Sequence, residues 1–365
     1  MSSETIGPPA PRVAIIGTGA WGTTMSVLLG AREPVLLLAR RADKAARIQA
    51  ERRNDENLPG CELPGTVIVS ARPSLVATAD LVVFAVPSAH LREIAAQVGP
   101  HIAPGADVLS LVKGLERGTL QRMSQVIADA TGMDPRRIAA LSGPNLAAEI
   151  ARGLPASAVV GAEDQELARR IQARVGTRSF RLYVNADITG VELCGALKNI
   201  VAIAAGAADG LGFGDNGKAG LITRGLAEMI RLGLAAGANP LTFAGLAGIG
   251  DVVATCASGL SRNHRLGVEL ARGRRWSDIE ATLPGVAEGA YTVEAALALA
   301  DRLGVEMPIA REVRAALFEG KSVQRCLIDL LSRESRDELA DMPPWLDRIG
   351  TTSAPPGPSE GAPLH

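Results

Sequence analysis

Between residue 12 and about residue 185, short apolar, β-branched runs alternate with longer segments whose apolar residues recur at helical spacing. The runs are VAIIG (13–17), VLLLA (35–39), LVVFAV (81–86), DVLSLV (107–112) and IAALS (138–142). SAVVG (157–161) and FRLYV (180–184) are further candidates whose direction the pattern leaves open. Near-continuous apolarity suits strands covered by helices on both faces, so the alternation predicts an α/β, Rossmann-like, doubly wound sheet. After residue 187 the β-branched runs stop, and Ala-, Leu- and Gly-rich stretches with helical spacing continue to about residue 339. The expected organisation is a flexible N-terminus over 1–11, the sheet domain over 12–188, an all-α domain over 189–345 and a disordered tail over 346–365. The tail is rich in Pro, Gly and Ser and poor in large apolar groups.

Composition narrows the function classes. At 365 residues the chain is long enough for two cores. Its 38 Lys and Arg against 39 Asp and Glu leave a net charge of −1, which disfavours nucleic acid as a chain-wide partner. Cys61, Cys194, Cys256 and Cys326 form no CxxC pair and no zinc-ligand cluster, and His90, His101, His264 and His365 are scattered. No metal is expected, and a reducing cytoplasm fits this cysteine usage. The N-terminus lacks the basic-then-apolar pattern of a secretory signal. The longest apolar region, 191–208, holds Glu192, Lys198 and Asn199, which makes a buried core helix cheaper than membrane insertion.

Candidate chemistry begins where the first strand ends. GTGAWG places Gly17, Gly19 and Gly22 in G-x-G-x-x-G spacing between a strand and a helix, the arrangement in which a pyrophosphate meets a helix N-terminus. The second strand ends at Arg40 and Arg41 where an NAD-specific site would carry an acidic residue, so the pair favours the 2′-phosphate of NADP; two solvated arginines is the alternative. Lys113 follows a strand at the sheet end where ligands collect, though a surface lysine would look the same. Lys198 lies inside an apolar helical run, where a buried ammonium needs a partner or a task, unless its head snorkels to water. Asp251 and Thr255 are four apart, on one face of any helix there, and Arg262 and Asn263 offer donors to a phosphate or sit in an ordinary turn.

Together these motifs resemble the bacterial NAD(P)-dependent glycerol-3-phosphate dehydrogenase family over about residues 13–331. The resemblance is carried by GTGAWG, ENLPG (56–60), FAVPS (84–88), VKGLE (112–116), LSGPN (141–145), GVELCGALKNIVAIAAG (190–206), GDNGKAGLITRGLAEM (214–229), GIGDVVATC (248–256), SRNHRLG (261–267) and VEMPI (305–309). It implies reversible reduction of dihydroxyacetone phosphate to sn-glycerol 3-phosphate with NADPH or NADH, feeding glycerophospholipid synthesis. It implies Lys198 as proton donor and acceptor, with Lys113, Asn199, Asp251 and Thr255 in the same polar constellation. It implies substrate contacts at Lys113, Gly143, Asn145, Lys198, Asp251, Ser261, Arg262 and Asn263. Besides the glycine turn, cofactor contacts are implied at Ala20, Trp21, Arg40, Arg41, Lys113, Ala147, Arg262, Val286 and Glu288. Two positions depart from the family pattern: Asn145 stands where Ser or Thr is usual, and Tyr291 where arginine is common. A homodimer is expected from symmetry base rates. The competing readings are a related dehydrogenase of another hydroxy acid or sugar acid, and a noncatalytic NADP-binding sensor.

Overall fold

The computed structural model describes residues 10–283 and 285–333. Nearly all of the expected flexible N-terminus, and the whole expected tail, lie outside them. Of two compact units, one ending at Leu331 and one beginning at Ser332, the first carries every element below.

Eight strands form one sheet in the order β3-β2-β1-β4-β5-β6-β7-β8. They are β1 (Val13–Ile16), β2 (Val35–Leu38), β3 (Val67–Ser70), β4 (Leu81–Phe84), β5 (Asp107–Ser110), β6 (Ile138–Ser142), β7 (Ala156–Gly161) and β8 (Phe180–Asn185). Strands β1 to β6 pair in parallel, β7 turns antiparallel to β6, and β8 runs parallel to β7. Successive residues of β1 feed opposite cores: Val13 and Ile15 enter one cluster, Ala14 and Ile16 the other. Burial on both faces is why the central strands read as unbroken apolar runs. β3, which the run pattern did not predict, is a four-residue edge strand whose alternate residues are only half-buried, so its apolar signal is short.

Helices α1 (Ala20–Gly30), α2 (Ala42–Glu51), α3 (Leu91–Val98), α4 (Met123–Thr131), α5 (Ala147–Ala151) and α6 (Gln165–Val175) accompany the sheet. The remainder is helical: α7 (Ile188–Gly210), α8 (Gly214–Ala235), α9 (Pro240–Phe243), α10 (Asp251–Ala257), α11 (Arg262–Ala271), α12 (Trp276–Thr282), α13 (Glu288–Leu303), α14 (Pro308–Phe318) and α15 (Val323–Leu331). α7 is long and apolar enough to cross a membrane, yet 89 % of its apolar window is buried inside the protein. Asp187 caps its start through Gly190 N (2.8 Å), and Glu192 accepts from Ser124 N (2.7 Å) and Ser124 Oγ (2.6 Å) at the head of α4, which pins α7 to the sheet half. α11 crosses α7 at glycine: a Cβ on Gly206 would overlap His264 O, and one on Gly267 would overlap Ile203 O.

Candidate active site

The chain order reverses between β2-β1 and β4, and loops leaving the carboxyl ends of such strands open a crevice. The glycine turn lies there. Gly17 has φ +112°, a conformation that favours glycine, and a Cβ on Gly22 would overlap Gly17 O, so helix and strand close only without side chains. On Gly19 a Cβ would meet nothing nearer than Ala85 O at 4.0 Å, and α1 begins without a side-chain cap. The turn thus offers uncapped N–H groups to an open space, which fits a dinucleotide pyrophosphate. Ala147 adjoins this helix: its carbonyl accepts from Thr24 Oγ1 at 3.1 Å. Trp21 packs toward Phe180, ring centroids 6.4 Å apart. At the end of β2, Arg41 is held by Asp43 (Nε–Oδ1 2.9 Å, with a second bond from Nη2 to Oδ2), a carboxylate lying two residues beyond the Arg40–Arg41 position, which carries none. The same ion pair holds the Asp43 carboxyl below its ordinary range.

A second cluster forms where β5, β6, α7 and α10 meet. Asp251, at the start of α10 and 2 % exposed, accepts from Lys113 Nζ at 2.5 Å on one oxygen and from Lys198 Nζ at 2.9 Å on the other. Lys198 also donates to Thr255 Oγ1 (2.6 Å), whose hydroxyl donates to Asp251 at 3.1 Å. The helix thus places Asp251 and Thr255 on one face, and the buried lysine has its partner. Lys113 reaches Gly143 O as well, at 3.2 Å. Its stem crosses Gly195, where a Cβ would stand 3.4 Å from Lys113 Cγ. Burial lowers the Lys113 pKa to about 8, the like charge of Lys198 adding to the effect and Asp251 opposing it. Burial raises the Asp251 pKa, but the two lysines outweigh it and hold the carboxyl below its usual range. Two lysines on one carboxylate leave a surplus of positive charge, suited to an oxyanion that develops beside them.

The remaining candidates sit on α11 and α13. Asn199 Oδ1 accepts from Asn263 Nδ2 (2.9 Å), and Asn263 Oδ1 accepts from Gly289 N (2.9 Å), which ties three helices together beside Lys198. Ser261 caps α11 through His264 N at 3.2 Å. Arg262 donates to Val286 O at 3.3 Å. Glu288 accepts from Ser88 Oγ (2.5 Å) and Ser88 N (3.3 Å), and burial raises its pKa against those bonds and the charge of Arg262.

The chain has close counterparts among known proteins. The family models described as the N-terminus and the C-terminus of NAD-dependent glycerol-3-phosphate dehydrogenase match residues 12–168 and 187–328. A protein of Streptomyces coelicolor named glycerol-3-phosphate dehydrogenase [NAD(P)+] is 47 % identical over 329 residues, covering 90 % of this chain and 98 % of its own. The chain belongs to the glycerol-3-phosphate dehydrogenase family. A Parafrankia relative of the same name is 48 % identical over 329 residues, covering 90 % of this chain and 98 % of its own. The crystal structure of glycerol-3-phosphate dehydrogenase from Coxiella burnetii superposes with a TM-score of 0.84 at 34 % identity, covering 89 % of this chain and all of that one.

The two departures from the glycerol-3-phosphate dehydrogenase pattern have different settings. Asn145 Oδ1 is buried and has no partner among the described residues. Tyr291 donates to Glu280, meets Trp276 edge-on at 6.2 Å and lies under the Arg117 guanidinium at 5.7 Å, so it joins the segment after Lys113 to α12 and α13. Reading along the chain missed Ser88, Asp43 and Asn54. Asn54 is a polar residue only 2 % exposed, and nothing in its local spacing marks it.

Proposed function

We propose that this chain reduces dihydroxyacetone phosphate to sn-glycerol 3-phosphate, reversibly, with NADPH preferred over NADH, and that Lys198 is the proton donor. The observation that carries this reading is the pairing of Lys198 and Lys113 on the buried Asp251, at the carboxyl end of a sheet whose first turn is open for a dinucleotide. The bound nicotinamide supplies hydride to the carbonyl carbon. As charge grows on the substrate oxygen, Lys198 Nζ stabilises it and hands over a proton; in the reverse direction it takes the proton back. Asp251 and Thr255 fix the direction of that ammonium, and Lys113 contributes positive charge to substrate and cofactor.

Arg262 and Asn263 hold the phosphate at the capped start of α11, with Ser261, Gly143 and Asn145 completing the substrate pocket. Binding energy at the nonreacting phosphate then keeps the carbonyl in place. Gly17, Gly19, Ala20, Trp21, Gly22, Ala147, Val286 and Glu288 hold the cofactor, and Arg40 and Arg41 take its 2′-phosphate. The product serves glycerophospholipid synthesis. The free cysteines support a cytoplasmic setting, and symmetry base rates support a homodimer. The test is Lys198→Ala assayed in both directions. Turnover should fall by about 10²–10⁴ while NADPH still binds, and unchanged turnover would remove Lys198 from the chemistry.

A further inference from the structure

Asn54 follows α2 and is folded beneath the glycine turn, with its amide Nδ2 donating to Thr18 O at 2.8 Å and to Thr23 Oγ1 at 2.7 Å. Thr18 O can only accept, which fixes which end of the Asn54 amide faces the turn. The other end is taken by Asn57 Nδ2, 3.4 Å from Asn54 Oδ1. The segment is itself anchored: Asn54 O accepts from the backbone N of Asn57 (3.0 Å) and Leu58 (2.8 Å), and Glu56 pairs with Lys44 (3.1 Å) and Arg47 (2.8 Å) of α2.

Across a planar trans peptide the C=O and the following N–H point in opposite directions. Anchoring Thr18 O to Asn54 therefore aims Gly19 N–H away from Asn54. The next peptide is fixed in the same sense, because Gly19 O accepts from Thr23 Oγ1 (2.9 Å) and from Thr23 N (3.0 Å). Carbonyls that would repel an anion are turned into the protein, and the N–H groups face outward as an anion-binding concavity. We propose that Asn54 is a positioning residue that sets the polarity of the glycine turn, acting through the Thr18–Gly19 peptide on the pyrophosphate of the cofactor. This rests on the proposed dinucleotide site and adds a residue that acts through the backbone of the turn.

The test dissects the cofactor by competition against NADPH, using ADP-ribose, which carries a pyrophosphate, and adenosine 2′-monophosphate, which does not. Asn54→Ala is expected to weaken NADPH and ADP-ribose about tenfold, the scale of one or two lost hydrogen bonds. Asn54→Asp, which turns an acceptor toward Thr18 O, is expected to weaken them further, and the monophosphate should change by less than about twofold in both. Thr23→Val tests the same network should the Asn54 variants fail to fold; it should weaken ADP-ribose by less, again sparing the monophosphate. Equal weakening of both ligands, or unchanged ADP-ribose affinity, overturns the proposal and leaves the dinucleotide site standing. Wild-type protein that binds NADPH but neither ADP-ribose nor 2′-phospho-ADP-ribose overturns the pyrophosphate assignment itself.

Discussion

Lys198 and Lys113 share one buried carboxylate, Asp251. Breaking a buried pair leaves charge without compensation, so Asp251→Asn should cost about 3–5 kcal/mol in denaturant unfolding as well as nearly all activity. A loss of activity with unchanged stability would mean that the two ion pairs orient the lysines without stabilising the fold. The Lys113 pKa of about 8 gives a second expectation. Below that pH the side chain is cationic and above it neutral, so kcat/KM for reduction should fall as pH rises through about 8. Asp251 opposes the lowering of that pKa, so the residual activity of Asp251→Asn should fall off at lower pH than that of the wild type; a wild-type pH–rate profile with no such limb would remove Lys113 from the charged machinery. At this scale the sequence was partly legible. Lys198 was conspicuous because a cation inside an apolar helical run contradicts its surroundings. Asn54, Ser88 and Asp43 were not, because the first two gain their meaning from partners 31 to 200 residues away and Asp43 from which way one arginine turns.

The elements place these side chains by close packing. α11 carries Arg262 and Asn263, and its crossing with α7 depends on Gly206 and Gly267, each facing the other helix's backbone. Gly206→Ala should force the helices apart, lower stability by about 1–3 kcal/mol in chemical unfolding and raise KM for dihydroxyacetone phosphate more than KM for NADPH. An unchanged KM ratio would show that the crossing does not govern the phosphate end. The alternation of apolar runs made the central strands legible because each is buried on both faces. β3 escaped because it is a short edge strand with one half-exposed side. The reversal at β7 left no trace, since an apolar run reads the same in either direction and only pairing partners fix its sense.

At the scale of the whole molecule, a sheet with an open glycine turn is joined to a helical half that carries Lys198, Asp251 and Arg262. Cofactor choice belongs to this scale, since it depends on the ligand's far end. The Arg41–Asp43 pair is solvent-exposed, and Arg40 has no such partner among the described residues. Arg40→Ala should therefore lower the kcat/KM ratio of NADPH to NADH by about tenfold, on the scale of one charged hydrogen bond; an unchanged ratio would place the 2′-phosphate elsewhere.

The most direct measurement follows NADPH absorbance with dihydroxyacetone phosphate and with dihydroxyacetone, using wild-type protein and Lys198→Ala. Rapid oxidation is expected with the phosphate ester, with kcat/KM at least about 10²-fold lower without the phosphate and turnover lost in the variant. Equal use of both substrates, or no turnover by folded protein that binds NADPH, would contradict the proposed reaction.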